Sequence, residues 1–147
     1  MPWTEALHIA AQVARGLAHA HEKQVIHRDI KPANIMVVQG TEIKVADFGA
    51  AYLHRSESTQ IVDIGSPAYM SPEQISGQPL GPKSDMFSLA IVLYHLLTGH
   101  RPFNAATAME LLEKIRLEEP PPMASLRKSL PPEVARVIAV ALAKKPE

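Results

Sequence analysis

The stretch from Ser84 to Thr98 leaves this chain few ways to fold. Its apolar residues, Met86, Phe87, Leu89, Ala90, Ile91, Val92, Leu93, Leu96 and Leu97, spread around the whole circumference of a helix. A helix without a polar face has to be surrounded. Lipid cannot do the surrounding, because the strongly apolar run Leu89 to Leu97 falls far short of the roughly 20 residues a bilayer needs. Protein must therefore enclose it, and the segment is expected to be the pillar of a core. Ser84 is placed to cap its start and Gly99 to end it. The 147 residues are enough chain for one domain with one sizeable core.

The flanking segments read as the enclosing elements. Leu7, Ala10 or Ala11, Ala14, Leu17 and His21 recur at spacings of three and four, which predicts a helix from Thr4 to about Glu22 with Thr4 as its cap. His19 and His21 lie two apart on that helix and face different sides, so a polar face and a packed helix end explain them better than a metal clamp. The runs Ile35-Met36-Val37-Val38 and Ile43-Lys44-Val45-Ala46 flank Gln39-Gly40-Thr41-Glu42, the pattern of a hairpin. Residues 50 to 70 are rich in serine and threonine with few apolar anchors, a long surface loop that is uncommon unless functional. Ser71-Pro72-Glu73-Gln74 reads as a capped single turn. Residues 107 to 117 form an amphipathic helix stopped by Pro120-Pro121-Pro122, and Pro131-Pro132-Glu133 opens a last helix through about Ala143. The expected class is α+β and mainly α: about five helices around the buried one, with a small β-hairpin.

Composition closes off several kinds of partner. Fifteen basic residues balance fifteen acidic ones, so no global field favours nucleic acid or an anionic membrane. There is no cysteine, which removes disulfides and thiolate metal sites. Met1 to Glu5 lacks the basic start and apolar run of a signal peptide, and a cytoplasmic location is the expectation.

The chemistry concentrates in residues 27 to 49. His27-Arg28-Asp29-Ile30-Lys31-Pro32-Ala33-Asn34 precedes the hairpin, and Asp47-Phe48-Gly49 follows it. A hairpin brings its two ends together, so Asn34 and Asp47 are expected side by side. Two carboxylates, an amide and a lysine on adjoining loops suit a magnesium-bound polyphosphate and a hydroxyl nucleophile.

These motifs, with Gly65-Ser66-Pro67-Ala68-Tyr69-Met70-Ser71-Pro72-Glu73-Gln74, give the chain a resemblance to the C-terminal lobe of a eukaryotic-type serine/threonine protein kinase, in its bacterial branch. The resemblance runs over residues 1 to 147 and implies ATP and Mg²⁺ as cofactors and a protein serine or threonine as substrate. It implies Asp29 as the base that orients and accepts the substrate proton, Lys31 as the cation beside the transferring phosphoryl group, and Asn34 and Asp47 as the Mg²⁺ ligands. Met36 and Ala46 resemble the floor under the adenine. Arg28 resembles a cation awaiting a phosphate, with Ser58 and Thr59 as the best acceptors of it and Ser56 third; the plain alternative is that these are solvated loop residues. Ser66 resembles the hydroxyl bridging Asp29 and Lys31, and Ser66 and Glu73 belong to the substrate platform. His27 and Phe48 resemble packing supports between the catalytic and metal loops. Asp85 resembles the carboxylate that tethers the catalytic loop, its alternative being charge capping of a helix start.

The same resemblance implies parts that these residues do not contain. There is no Gly-x-Gly-x-x-Gly and no Val-Ala-x-Lys strand, so residues 1 to 147 are expected to be a partial kinase domain, the C-lobe without its N-lobe or last helix. The family's arginine that pairs with the glutamate at position 73 is also missing, which leaves Glu73 as an expected unpaired carboxylate. The implied partners are a protein substrate, ATP, and a separately encoded N-lobe or a full-length kinase. Two rival readings differ in class: a small-molecule phosphotransferase of the aminoglycoside type, against which Lys31 and residues 65 to 74 argue, and a non-catalytic kinase-remnant interaction module.

Overall fold

The computed structural model describes residues 1–40, 42–48 and 67–144. In chain order the helices are α1 (Trp3–Glu22), α2 (Pro72–Ile75), α3 (Pro82–Thr98), α4 (Ala108–Leu117), α5 (Met123–Leu126) and α6 (Pro132–Ala141). Strands β1 (Ile35–Val38) and β2 (Glu42–Val45) form one antiparallel pair. Among the described residues, five helices thus accompany the apolar one, with a single hairpin beside them.

Helix α3 is the pillar its composition demands. Phe87 through Tyr94 are all buried, and Ile91 is completely enclosed. One side of α3 offers Leu89 and Val92 to Val13 and Leu17 of α1 and to Ile30, with Ile35, Ile43 and Val45 of the hairpin against them. The other offers Phe87, Ile91, Tyr94 and Leu97 to Ile115, Met123, Leu130, Ile138 and Leu142. Gly99 ends the helix in the left-handed region at φ 76°, where its N–H reaches the carbonyl of His95 at 2.9 Å. Glycine pays no Cβ penalty in that conformation.

Both expected helix caps are displaced by proline. Helix α1 begins at Trp3, because Pro2 is already extended (φ −59°, ψ 143°) and its carbonyl takes the N–H of Ala6 at 3.2 Å. Thr4 therefore lies inside the first turn and caps nothing. Helix α3 begins at Pro82, a residue whose fixed φ suits the first helical position. Ser84 sits in that first turn with its Oγ turned back to the N–H of Gly81 at 3.4 Å. The hairpin is offset by one residue from expectation: Val38 pairs with Glu42 and Ile35 with Val45. Gln39 and Gly40, at φ 51° and 81°, make the turn tight enough for Glu42 to join the strand.

Polar groups lock the far end of the bundle. The Tyr94 hydroxyl donates to the Pro121 carbonyl at 2.9 Å, and burial raises its pKa. The Arg127 guanidinium donates to the carbonyls of Leu97 at 2.8 Å and Met1 at 3.2 Å. Lys144 donates to the Ile115 carbonyl at 2.6 Å, with its ammonium 3.9 Å from the centre of the Phe103 ring. Burial nevertheless pulls the Lys144 pKa down to about 8, against the opposing pull of Glu119 and Glu118. Nearer α2, the Tyr69 hydroxyl lies 3.3 Å from Nδ1 of His95. Burial lowers the His95 pKa, helped by the charges of Arg101 and His100. Among the described residues, no helix is long and apolar enough to cross a membrane.

Candidate active site

Two consecutive backbone N–H groups and one buried carboxylate set the loop between α1 and β1. The Asp85 side chain is 1% exposed. Its Oδ2 accepts from the N–H of His27 and its Oδ1 from the N–H of Arg28, both at 2.9 Å. Arg28 needs such a hold, since its φ of 70° is a conformation that costs a non-glycine residue about 1 kcal/mol or more. The Gln74 side chain grips the same residue from α2, donating to the Arg28 carbonyl at 2.6 Å. The Nε of Arg28 is buried without a hydrogen-bond partner among the described residues.

From this anchored pair the chain turns outward to Asp29. Its Oδ2 is held twice, by Lys31 Nζ at 2.9 Å and by Asn34 Nδ2 at 3.0 Å. Asn34 also donates to the Asp29 carbonyl at 2.8 Å. The rotation of the carboxylate is fixed by these bonds, and Oδ1 has no partner among the described residues. Because Asn34 spends its NH₂ on Asp29, its amide oxygen is the end left over.

The hairpin carries the second half of the site to the first. The Asn34 carbonyl accepts from the N–H of Ala46 at 2.8 Å, one step beyond the last strand pair. Asp47 follows directly, exposed, at φ 62°. Alternation along the strands puts Met36 and Ala46 on the face opposite Ile35, Ile43 and Val45, and Met36 is 47% exposed there. His27 joins the two loops: its ring meets Phe48 edge-on at 4.6 Å, and Nε2 donates to the Ala46 carbonyl at 2.7 Å. Nδ1 accepts the N–H of Asp29 at 3.2 Å, so the two contacts together fix the proton on Nε2.

Among the described residues there is no group of three or more His, Cys, Asp or Glu able to hold a metal ion unaided. The Asn34 oxygen and the Asp47 carboxylate are both uncommitted to other described residues. Such a pair of hard oxygens fits Mg²⁺, which takes few protein ligands when phosphates and water supply the rest.

Glu73 departs from expectation. It is half-buried and accepts a hydrogen bond from Ser84 Oγ at 2.6 Å. The hydroxyl expected as a helix cap thus serves as the partner of the carboxylate expected to have none. Ser56, Ser58, Thr59 and Ser66 lie outside the described residues. Two contacts had no signal in the sequence: Gln74 on Arg28, and His21, whose Nε2 lies 2.7 Å from Asp85 Oδ2. Each joins segments far apart in the chain, and no periodicity announces such a meeting.

Comparison with known proteins identifies the family. The protein kinase domain family matches residues 1–147. Serine/threonine-protein kinase PrkC of Bacillus subtilis is 41% identical over 144 residues, covering 97% of this chain and 22% of its own length. PknB of Mycobacterium leprae is 36% identical over 151 residues, covering 100% of this chain and 24% of its own. PknL of Mycobacterium tuberculosis is 36% identical over 149 residues, covering 99% and 37%. The chain therefore spans about a quarter to a third of the length of these relatives. With a match along its whole length and relatives that are all serine/threonine kinases by name, the chain belongs to the protein kinase domain family.

Proposed function

We propose that this chain is the catalytic C-lobe of a serine/threonine protein kinase, acting in Mg·ATP-dependent phosphoryl transfer to a protein hydroxyl. The observation that carries the reading is the double hold on Asp29 Oδ2 by Lys31 and Asn34, which among the described residues leaves Oδ1 to receive a proton. A substrate serine or threonine hydroxyl would donate to that oxygen, lining its own oxygen up for attack. Lys31 stands beside the transferring group and stabilises its charge. Asn34 and Asp47 would hold Mg²⁺, which would supply positive charge to offset that of the phosphates. Met36 and Ala46 supply the apolar surface for the adenine. The Nε of Arg28, without a partner among the described residues, suits a phosphate brought from Ser58 or Thr59, and Ser66 and Glu73 support the substrate platform. A cytoplasmic location goes with ATP as donor.

On this reading the 147 residues alone turn over little or no substrate. Phosphoryl transfer depends on positioning and electrostatics, and these residues contain no glycine-rich loop and no lysine strand to cover the phosphates. Those parts would have to come from outside these residues, from an N-lobe or a full-length kinase. The test is nucleotide binding. Millimolar Mg·ATP is expected to raise the melting temperature of the chain, and Asp47→Ala to abolish the rise. If Mg·ATP gives wild type no rise, the chain is an interaction module instead, a reading that the exposed Met36 and Val37 (47% and 59%) would then favour.

A further inference from the structure

The carboxylate that holds the catalytic loop is itself held. His21 ends α1, 64 residues before Asp85 in sequence, and is only 12% exposed. Its Nε2 shares Asp85 Oδ2 with the N–H of His27, at 2.7 and 2.9 Å. Among the described residues it is the one cation-capable side chain within ion-pair distance of Asp85. The two backbone N–H groups fix where the carboxylate oxygens must point, but neither comes from outside the loop being positioned. Without a third bond, loop and carboxylate could turn together.

We infer that His21 is a positioning residue for the active site, acting through Asp85. Its hydrogen bond references the carboxylate to α1, and the effect passes on by contacts already described. Asp85 sets His27 and Arg28; the His27 ring then takes the N–H of Asp29 on Nδ1 and reaches the Ala46 carbonyl with Nε2. Asp29 and Asp47 are thus steered from one imidazole that touches neither. The orientation of the bond is defined: a carboxylate only accepts here, so His21 must carry its proton on Nε2. The inference rests on the kinase reading for the importance of the loop, but the contacts and their test involve no nucleotide.

The test uses the 147-residue chain with His21→Phe and His21→Gln. Phenylalanine fills the space and donates nothing, whereas glutamine restores an N–H donor at similar reach. The readout is amide hydrogen exchange at His27 and Arg28, referred to the core amides of Ile91 and Val92. A lost hydrogen bond to a charged group is expected to speed exchange at the two loop amides about tenfold in His21→Phe. His21→Gln should stay within about threefold of wild type, by the same scale. Equal effects in both variants would mean that His21 only packs, and unchanged exchange in His21→Phe would mean that Asp85 needs no third partner; either result overturns the inference. If His21→Phe does not fold, the imidazole nitrogen spectrum of the wild-type chain decides. A proton resident on Nε2 of His21 supports the bond, and a ring protonated on Nδ1 alone overturns it. A chain that binds no Mg·ATP could still pass every arm of this test.

Discussion

Asp85 and Tyr94 stand about 13 Å apart along one helix, yet they are held by different physics. Around Asp85 the buried groups are polar: His27, Asn34, Ser71, Ser84, Asp85 and Ser88 all gather where the loop and α2 meet the start of α3. Around Tyr94 they are apolar, with Phe87, Ile91, Leu97, Ile115, Met123 and Ile138 in one cluster. Apolar contact is non-directional and mostly fills volume. Hydrogen bonds to a buried carboxylate prescribe direction, and leaving one unmade is costly. The two ends of α3 therefore divide the work: one supplies stability, the other orientation.

The largest expected effect tests the polar end. Asp85→Ala strands the N–H groups of His27 and Arg28 together with His21, and should cost about 4 kcal/mol in urea unfolding. A loss near 1 kcal/mol would show that this end relaxes like an ordinary surface. Next comes Ile91→Ala at the fully enclosed centre of the apolar end, expected to cost about 3 kcal/mol, against about 1 kcal/mol for Ile91→Val. The sharper contrast lies in the loop: Ile91→Val should leave exchange at the His27 and Arg28 amides unchanged, whereas Asp85→Ala should abolish their protection. Tyr94→Phe removes only the bond to Pro121 and should cost about 1 kcal/mol.

The last expected effect depends on pH. The Lys144 pKa falls from the ordinary 10.5 to about 8 on folding, through burial. Between those values the unfolded chain keeps a proton that the folded chain has released, so stability should rise with pH through that window and be flat below it. Lys144→Met should erase the rise. Melting temperatures of both proteins between about pH 7.5 and 10 give the comparison, since the tyrosines titrate equally in each. A wild-type curve parallel to the variant's would mean that the Phe103 face and the Ile115 carbonyl compensate the burial in full.

What could be read from the residues follows the same division. The apolar end was legible because burial leaves a compositional trace: nine apolar residues wrapping 84–98 allow no exposed placement. The hairpin was legible too, and with it the meeting of its two ends, where the Ala46 N–H reaches the Asn34 carbonyl. Cap assignments at Thr4 and Ser84 missed because the helices start earlier: the carbonyl of extended Pro2 accepts the N–H of Ala6 in one, and Pro82 opens the other by its fixed φ. The four-residue helix Met123–Leu126 is too short to show a period. The polar end was the least legible part. Glu73 finds Ser84, Gln74 finds Arg28, and His21 finds Asp85 only after packing has brought distant segments together, and a single polar residue looks alike whether it meets water or a partner.

One consequence follows from the place of Asp85 on α3. It is the fourth residue of a helix whose later turns are buried on both sides, and each residue added to a helix turns everything beyond it by 100°. A single-residue insertion or deletion between Asp85 and Ile91 would therefore rotate the loop-holding carboxylate out of phase with the core. Length changes should be barred from that interval even when composition is preserved, and become tolerable only beyond Gly99, where the helical phase is released.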